Sequence, residues 1–306
     1  MRRLLRPLRA VHRRVVPREP RRTAWPAARE RAPGEPANVG IAVVNFNTKR
    51  LISQLVFSLY RLLGPAWFRQ IVVVDNASTD GSRDVLAALH DAGLVHLIAN
   101  RSQRYHGPAL TQGVSWLARR QRSVPPRDRL DYVWTLDSDV VVLRRETARD
   151  ALSVIESTDA AAVAQLDFLP ADENPLSRNP LLHPCCFLFD PTVLWRPAIP
   201  PFLEDGRPLD GMQVTAEKLE LRMVAFPFVE HGYIVHLGRG TLRAVADLGD
   251  TQNRYYEWAV GHKDPHFAAS ASGPELYAAF CERFDAELPE LTGEALVAAC
   301  RAPVDD

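Results

Sequence analysis

From Val39 onward, short apolar runs alternate with stretches of helical periodicity. Ile41-Ala42-Val43-Val44-Asn45-Phe46 and Ile71-Val72-Val73-Val74-Asp75 are continuous apolar runs rich in β-branched residues, the pattern of strands buried on both faces. Leu51, Leu55, Leu59 and Leu62 recur at helical spacing between them. Ser78-Thr79-Asp80-Gly81 opens a second helix, with Ser78 or Asp80 as its cap. The spacing further predicts strands at Val95–Ala99 and Tyr132–Asp137, and helices at Gly107–Arg120 and Glu146–Ile155. Past a strand at Ala161–Phe168 the pattern loosens. Strands are expected at Cys185–Phe189, Met223–Phe228 and Tyr233–Leu237. Helices are expected from Asp210, where Gln213 completes a capping box, and at Tyr255–His262, Pro274–Phe284 and Gly293–Cys300.

Alternating strands and helices with fully apolar strands define an α/β fold with a mostly parallel sheet covered on both faces. Such sheets bind ligands at the carboxyl ends of their strands. Three polar clusters therefore fall along one edge: Asn45–Asn47, Asp75–Ser78 and Asp137–Asp139.

Composition sharpens this. The 306 residues carry 37 Lys+Arg against 37 Asp+Glu, with 46% apolar residues. That excludes collagen-like, coiled-coil and wholly disordered chains, and no apolar run reaches the ~18 residues of a membrane span. The zero net charge hides an asymmetry. Residues 1–35 hold eleven Arg and three Glu, which leaves the rest of the chain acidic. Residues 1–36 are thus expected to be a basic Arg/Pro-rich tail without a packed core of its own. Leu4, Leu5, Leu8, Val11 and Val15 lie at helical spacing among its arginines, so contact with an anionic membrane is the other reading. No apolar core of a secretory signal follows these charges. The remaining expected units are 37–145, 146–270 and a helical extension at 271–306. Arg supplies 34 of the 37 positive charges, a bias that suggests a GC-rich, bacterial genome. Four cysteines without CxxC or zinc spacing suit a reducing cytoplasm, and Cys185-Cys186 read as buried small residues.

Asp137-Ser138-Asp139 is the sharpest motif. On an extended backbone, positions i and i+2 point the same way, and paired carboxylates repel unless a cation sits between them. Mg²⁺ or Mn²⁺ fits that need, with diphosphate oxygens completing its shell. Asp75, at the end of a buried strand, offers acceptors to a base N–H or a ribose hydroxyl. No GxGxxG follows a strand and no GxxxxGK[ST] occurs, which disfavours dinucleotide oxidoreductases and P-loop NTPases.

With these residues the chain resembles the family 2 (GT-A fold) glycosyltransferases. The likeness lies in Val43–Thr48, Val72–Ser82, Gly107-Pro108-Ala109-Leu110 leading to Gly113, and Leu136–Asp139. It implies a GT-A-like, Rossmann-like sheet flanked by helices, an irregular acceptor-side half and C-terminal helices. It also implies a nucleoside-diphosphate-sugar donor and a divalent cation. Asn45, Asn47, Asp75, Asn76, Ser78, Gly107 and Asp137 would line the donor site, with Asp75 at the base and Asp139 on the metal. Beyond residue 200 the resemblance suggests His236 as a further metal ligand, Arg239 at the diphosphate and His231 as a weaker candidate. An inverting transfer needs a base on the acceptor hydroxyl, and Asp210, Asp205 and Glu204 are the candidates. Thr111 stands where the family usually has Asn, a departure that bears on donor positioning. Tyr255, Tyr256 and Trp258 could stack against a sugar or lipid acceptor, though aromatics at helical spacing usually pack in the core, and His262 and His266 lack a companion ligand pattern.

The expected activity is transfer of a sugar to an acceptor hydroxyl on a glycan, lipid-linked or small-molecule partner. The expected location is the cytoplasm, with a peripheral contact at the inner membrane face. Two other readings stay open: a sugar-1-phosphate nucleotidyltransferase, and a scaffold whose Arg-rich tail binds an acidic partner. Specific nucleic-acid binding is not expected, since the tail has Trp25 as its one aromatic.

Overall fold

The computed structural model describes residues 24–32, 35–104, 106–166, 182–196, 210–237 and 273–303. Its centre is a seven-stranded sheet in the order β3-β2-β1-β4-β7-β6-β8. The strands are β1 (Val39–Asn45), β2 (Gln70–Asp75), β3 (His96–Ala99), β4 (Tyr132–Asp137), β6 (Ala162–Leu166), β7 (Leu182–Phe189) and β8 (Met223–Ala225). β3, β2, β1 and β4 run parallel, and β7 is antiparallel to both β4 and β6. This is the mostly parallel α/β sheet that the apolar runs predict. A small second sheet, absent from the sequence expectation, pairs β5 (Val140–Val142) with β9 (Ile234–His236).

The pleat sorts β1 onto two cores. Ile41 and Val43 face the layer built by α1 (Lys49–Ser58), α2 (Ser82–Asp91) and α4 (Thr147–Thr158). Two C-terminal helices, α7 (Gly273–Glu287) and α8 (Gly293–Arg301), join this layer through Phe280, Phe284 and Leu296. Ala42 and Val44 face α3 (His106–Gln121), α5 (Pro191–Leu194) and α6 (Asp210–Lys218). Gly113 lets α3 lie close: a Cβ there would stand 3.2 Å from Val74 Cγ2 and 3.7 Å from the Ala42 Cβ. Burial of full-size apolar side chains on both faces, at roughly 25 cal/mol per Å² of apolar surface, is the main stabilising term.

The expected helix at Tyr255–His262 lies outside the described residues. Of the basic N-terminal segment, residues 24–32 rest against the domain. The Arg29 side chain is 3% exposed and pairs with Asp131 at 2.8 Å and with Glu35. It also donates to the carbonyl of Pro36. The four cysteines are free thiols.

Candidate active site

Register brings the predicted clusters side by side. Asn45 pairs with Asp75 across β1 and β2, and Val44 with Asp137 across β1 and β4. The three strand ends therefore share one edge of the sheet.

The first two clusters form one hydrogen-bonded unit. Asn45 Nδ2 donates to Asp75 Oδ1 at 3.0 Å and to Ser78 Oγ at 3.1 Å. Ser78 Oγ also accepts from the Asn47 amide at 3.0 Å, and Asn47 Oδ1 accepts from the Thr79 amide at 2.7 Å. Asn47 and Ala77 take left-handed φ angles of 52° and 68°, which fold both loops tightly. The N-cap of α2 is Gly81 in place of the expected Ser78 or Asp80; the Asp80 carboxylate accepts from the amides of Lys49 at 2.7 Å and Ser82 at 3.0 Å, the first residues of α1 and α2. Asn76 bonds Asn100 and the Arg104 backbone, tying β2 to the loop before α3.

Asp75 is fully buried and takes up several donors. Arg83, missed in the sequence reading, reaches Asp75 Oδ2 from Nε at 3.2 Å and from Nη2 at 3.1 Å, with its side chain 44% exposed. A helical Arg one turn beyond the Asp–Ser loop was the available signal. The Asn47 Nδ2 is buried without a hydrogen-bond partner among the described residues, an uncommon condition for a buried donor.

The third cluster departs from the extended backbone assumed for it. Ser138 and Asp139 form a turn between β4 and β5. The turn still brings the two carboxylates together, because β5 pairs with β9 and sets His236 opposite Val140. His236 Nε2 lies 3.3 Å from Asp139 Oδ1 and 3.7 Å from Asp137 Oδ2. One ligand atom from each of Asp137, Asp139 and His236 lies within 4.8 Å of the others. His106, at the start of α3 and also missed, approaches Asp137 Oδ1 with Nε2 at 3.5 Å. Thr48 Oγ1 hydrogen-bonds Asn45 and Ser138, which links this cluster to the first.

Electrostatics fit a cation. Burial pushes the Asp137 carboxyl above its ordinary pKa. His106 pulls it back, and the Asp139 charge adds to the rise. Burial alone would lower the His236 pKa, yet Cys185 and the Asp139 carboxylate hold it well above the ordinary imidazole value. Two carboxylates and an imidazole form a donor set that Mn²⁺ or Mg²⁺ accepts.

The other predicted residues are placed as follows. Gly107 is buried in the first turn of α3. Asp210 opens α6, while its side chain, with Glu204, Asp205 and Arg239, lies outside the described residues. His231 is exposed, with its ring 6.4 Å from that of Tyr233 and apart from the acidic cluster. Thr111 is buried, and its Oγ1 has no hydrogen-bond partner among the described residues.

The chain belongs to glycosyl transferase family 2, whose model matches residues 41–207. It is a glycosyltransferase, and the sheet is of the kind the resemblance implies. No curated protein matches it. Among solved structures it is similar to the mannosyltransferase PcManGT from Pyrobaculum calidifontis in complex with GDP-Man and Mn²⁺. That match has 20% identity and a TM-score of 0.48, covering 92% of this chain and 79% of that one. It is also similar to S. aureus TarS 1-349 in complex with UDP-GlcNAc. There the identity is 16% and the TM-score 0.48, with 81% of this chain and 73% of that one covered.

Proposed function

We propose that this glycosyltransferase is metal-dependent and inverting, moving a sugar from a nucleoside diphosphate to an acceptor hydroxyl. The observation that carries the reading is the convergence of Asp137, Asp139 and His236 within 4.8 Å. These three would hold Mn²⁺ or Mg²⁺. When bound, the cation supplies Lewis-acid neutralisation of the departing diphosphate.

The chain's own residues do the rest. Asp75, held by Asn45 and Ser78, receives the base or ribose once Arg83 swings off its carboxylate. Asn47 Nδ2 and Asn76 face the donor from the neighbouring loops, with Gly107 leaving room at the start of α3. Asp210 takes the proton of the acceptor hydroxyl as its oxygen attacks the anomeric carbon and the diphosphate leaves from the opposite face. Its helix is anchored in the core by Met212 and Ala216, which suits a base that must be held rigidly; Glu204 and Asp205 are its rivals. A positioned base contributes roughly 10²–10⁴-fold. Arg239 would meet the diphosphate.

The Arg-rich N-terminal segment is read as a peripheral contact with an anionic membrane at its cytoplasmic face. Eleven arginines in residues 1–35 support this, and no described helix is long and apolar enough to cross a membrane.

The test is turnover of UDP-, dTDP- and GDP-sugars with and without Mn²⁺ or Mg²⁺, with the product anomer read by NMR. The reading requires activity that is lost to chelation and in Asp139→Ala, and an inverted product. Full activity of Asp139→Ala under metal, or a retained anomer, overturns it.

A further inference from the structure

The Asp75 carboxylate is already occupied. Arg83, in the first turn of α2, donates to Asp75 Oδ2 from Nε at 3.2 Å and from Nη2 at 3.1 Å. The same Nη2 donates to the carbonyl of Asn100, directly after β3, at 2.7 Å. Among the described residues, the hydrogen bonds of this guanidinium all go to these two acceptors. Both lie on buried residues whose backbones are joined, since the Asn100 amide donates to the Asp75 carbonyl at 2.9 Å. Oδ2 also accepts from the Ser78 amide at 3.2 Å, and Oδ1 accepts from Asn45. Three donors on one oxygen exceed its two lone pairs. A nucleotide base that bonds Asp75 Oδ2 must therefore take over what Arg83 does there.

What Arg83 offers is one N–H beside one NH₂ on a shared planar carbon. Guanine carries the same fragment: N1–H and the N2 amino group sit on C2, itself a guanidine carbon. N1–H would stand where Nε does and the amino group where Nη2 does, its two hydrogens divided between Asp75 and the Asn100 carbonyl. The other bases lack that edge. Uracil and thymine offer N3–H between two carbonyls, and a carbonyl set against the Asn100 oxygen is repelled. Adenine and cytosine have an amino group, but an unprotonated ring nitrogen beside it would face the Asp75 carboxylate. A partner that leaves buried acceptors unpaired is rejected by what it lacks.

We infer that the sugar donor is a guanosine diphosphate sugar, whose guanine displaces Arg83 and takes its place on Asp75 and the Asn100 carbonyl. The inference rests on the reading above in which Asp75 receives the base. Arg83 holds the two acceptors satisfied while the site is without nucleotide. Its side chain, 44% exposed, has solvent to move into when the base arrives. Binding is an exchange of one guanidine group for another, and the preference for guanine comes from the acceptors that remain.

The experiment titrates GDP, IDP, UDP, dTDP and ADP into the full chain with Mn²⁺ and reads each affinity by calorimetry. IDP keeps N1–H and lacks the N2 amino group, so it isolates the bond to Asn100. GDP is expected to bind about tenfold tighter than IDP, with UDP, dTDP and ADP weaker again. Arg83→Ala and Arg83→Met, shown to be folded by thermal melting, are expected to bind GDP at least as tightly as the parent, because nothing has to leave Asp75. Both should keep the preference over IDP. IDP binding as tightly as GDP overturns the inference. So does a folded Arg83 variant that loses GDP about tenfold, since the guanidinium would then contact the nucleotide instead of standing in its place. If UDP, dTDP or ADP binds as tightly as GDP, the nucleotide-sugar reading stands and the guanine assignment falls. Failure of all five to bind overturns both.

Discussion

Asn45 Nδ2 lies 3.0 Å from Asp75 Oδ1, joining the ends of two neighbouring parallel strands through fully buried side chains. The same amide reaches Ser78, so one Asn orients both the Asp and the loop that follows it. Asn45→Ala would leave the buried Asp75 Oδ1 short of a donor and take one from the half-buried Ser78 hydroxyl. The expected cost is about 1–3 kcal/mol for the buried group left unsatisfied. Urea unfolding of Asn45→Ala against the parent measures it, and donor binding should weaken together with stability. A variant as stable as the parent would mean that Ser78 or Arg83 compensates.

Removal of Asp139 should act on metal binding more than on the fold. In the metal-free protein Asp139 adds to the rise of the Asp137 pKa and raises that of His236. Its loss takes away one repulsion and one attraction together, so the metal-free melting temperature should change little. The metal response should vanish. A bound cation raises stability by mass action, ~2.7 kcal/mol at a hundredfold excess over Kd. A melting shift with Mn²⁺ in the parent and none in Asp139→Ala is the expected pair of results. Equal shifts in the two would place the cation elsewhere.

Those two sites were differently legible in the sequence. Asn45, Asp75 and Asp137 could be placed on one edge because continuous apolar runs mark parallel strands, and parallel strands share their carboxyl ends. The convergence of His236 on Asp139 depends on β5, three residues long and directly after a turn, and on its antiparallel register with β9. A three-residue strand has too few positions to show a period. His106 was passed over because it meets Asp137 across elements, and no local spacing encodes that. Asp80 was legible as an acceptor for the start of α2, but its second amide, from Lys49, comes from a different helix.

At the far edge of the sheet, His96 in β3 stacks on Trp116 at 3.8 Å and meets His90 edge-on at 5.2 Å. Burial, and then the neighbouring His90, hold its pKa below the ordinary imidazole value. The sign of the consequence follows. As pH falls through about 6.5, the unfolded chain takes up this proton before the folded one does, so His96 lowers stability on the acid side. Between neutral pH and that acid range, His96→Gln should lose less stability than the parent. Urea unfolding at both pH values reads the difference, and an NMR titration should find His96 protonating below the ordinary range. A larger acid loss in the variant would reverse the assignment.

The basic N-terminal segment should divide into two parts with separate effects. Arg29 sits where β1 and β4 begin, since its partner Asp131 also accepts from the Asn38 amide at 2.7 Å. That is the end of the sheet away from Asn45 and Asp137, roughly 20 Å distant for strands of this length. The Arg29 side chain is 3% exposed and that of Asp131 is 11% exposed. Arg29→Ala would strand a mostly buried carboxylate, a loss on the order of 3 kcal/mol, and chemical unfolding should register it. Deletion of residues 2–23 keeps Arg29 and Asp131 and removes nine of the eleven arginines. It should leave unfolding and donor turnover unchanged and abolish sedimentation with vesicles rich in phosphatidylglycerol, most clearly at low salt. Vesicle binding that survives this deletion would move the contact onto the folded domain. A fall in stability would show that residues 2–23 also support the fold.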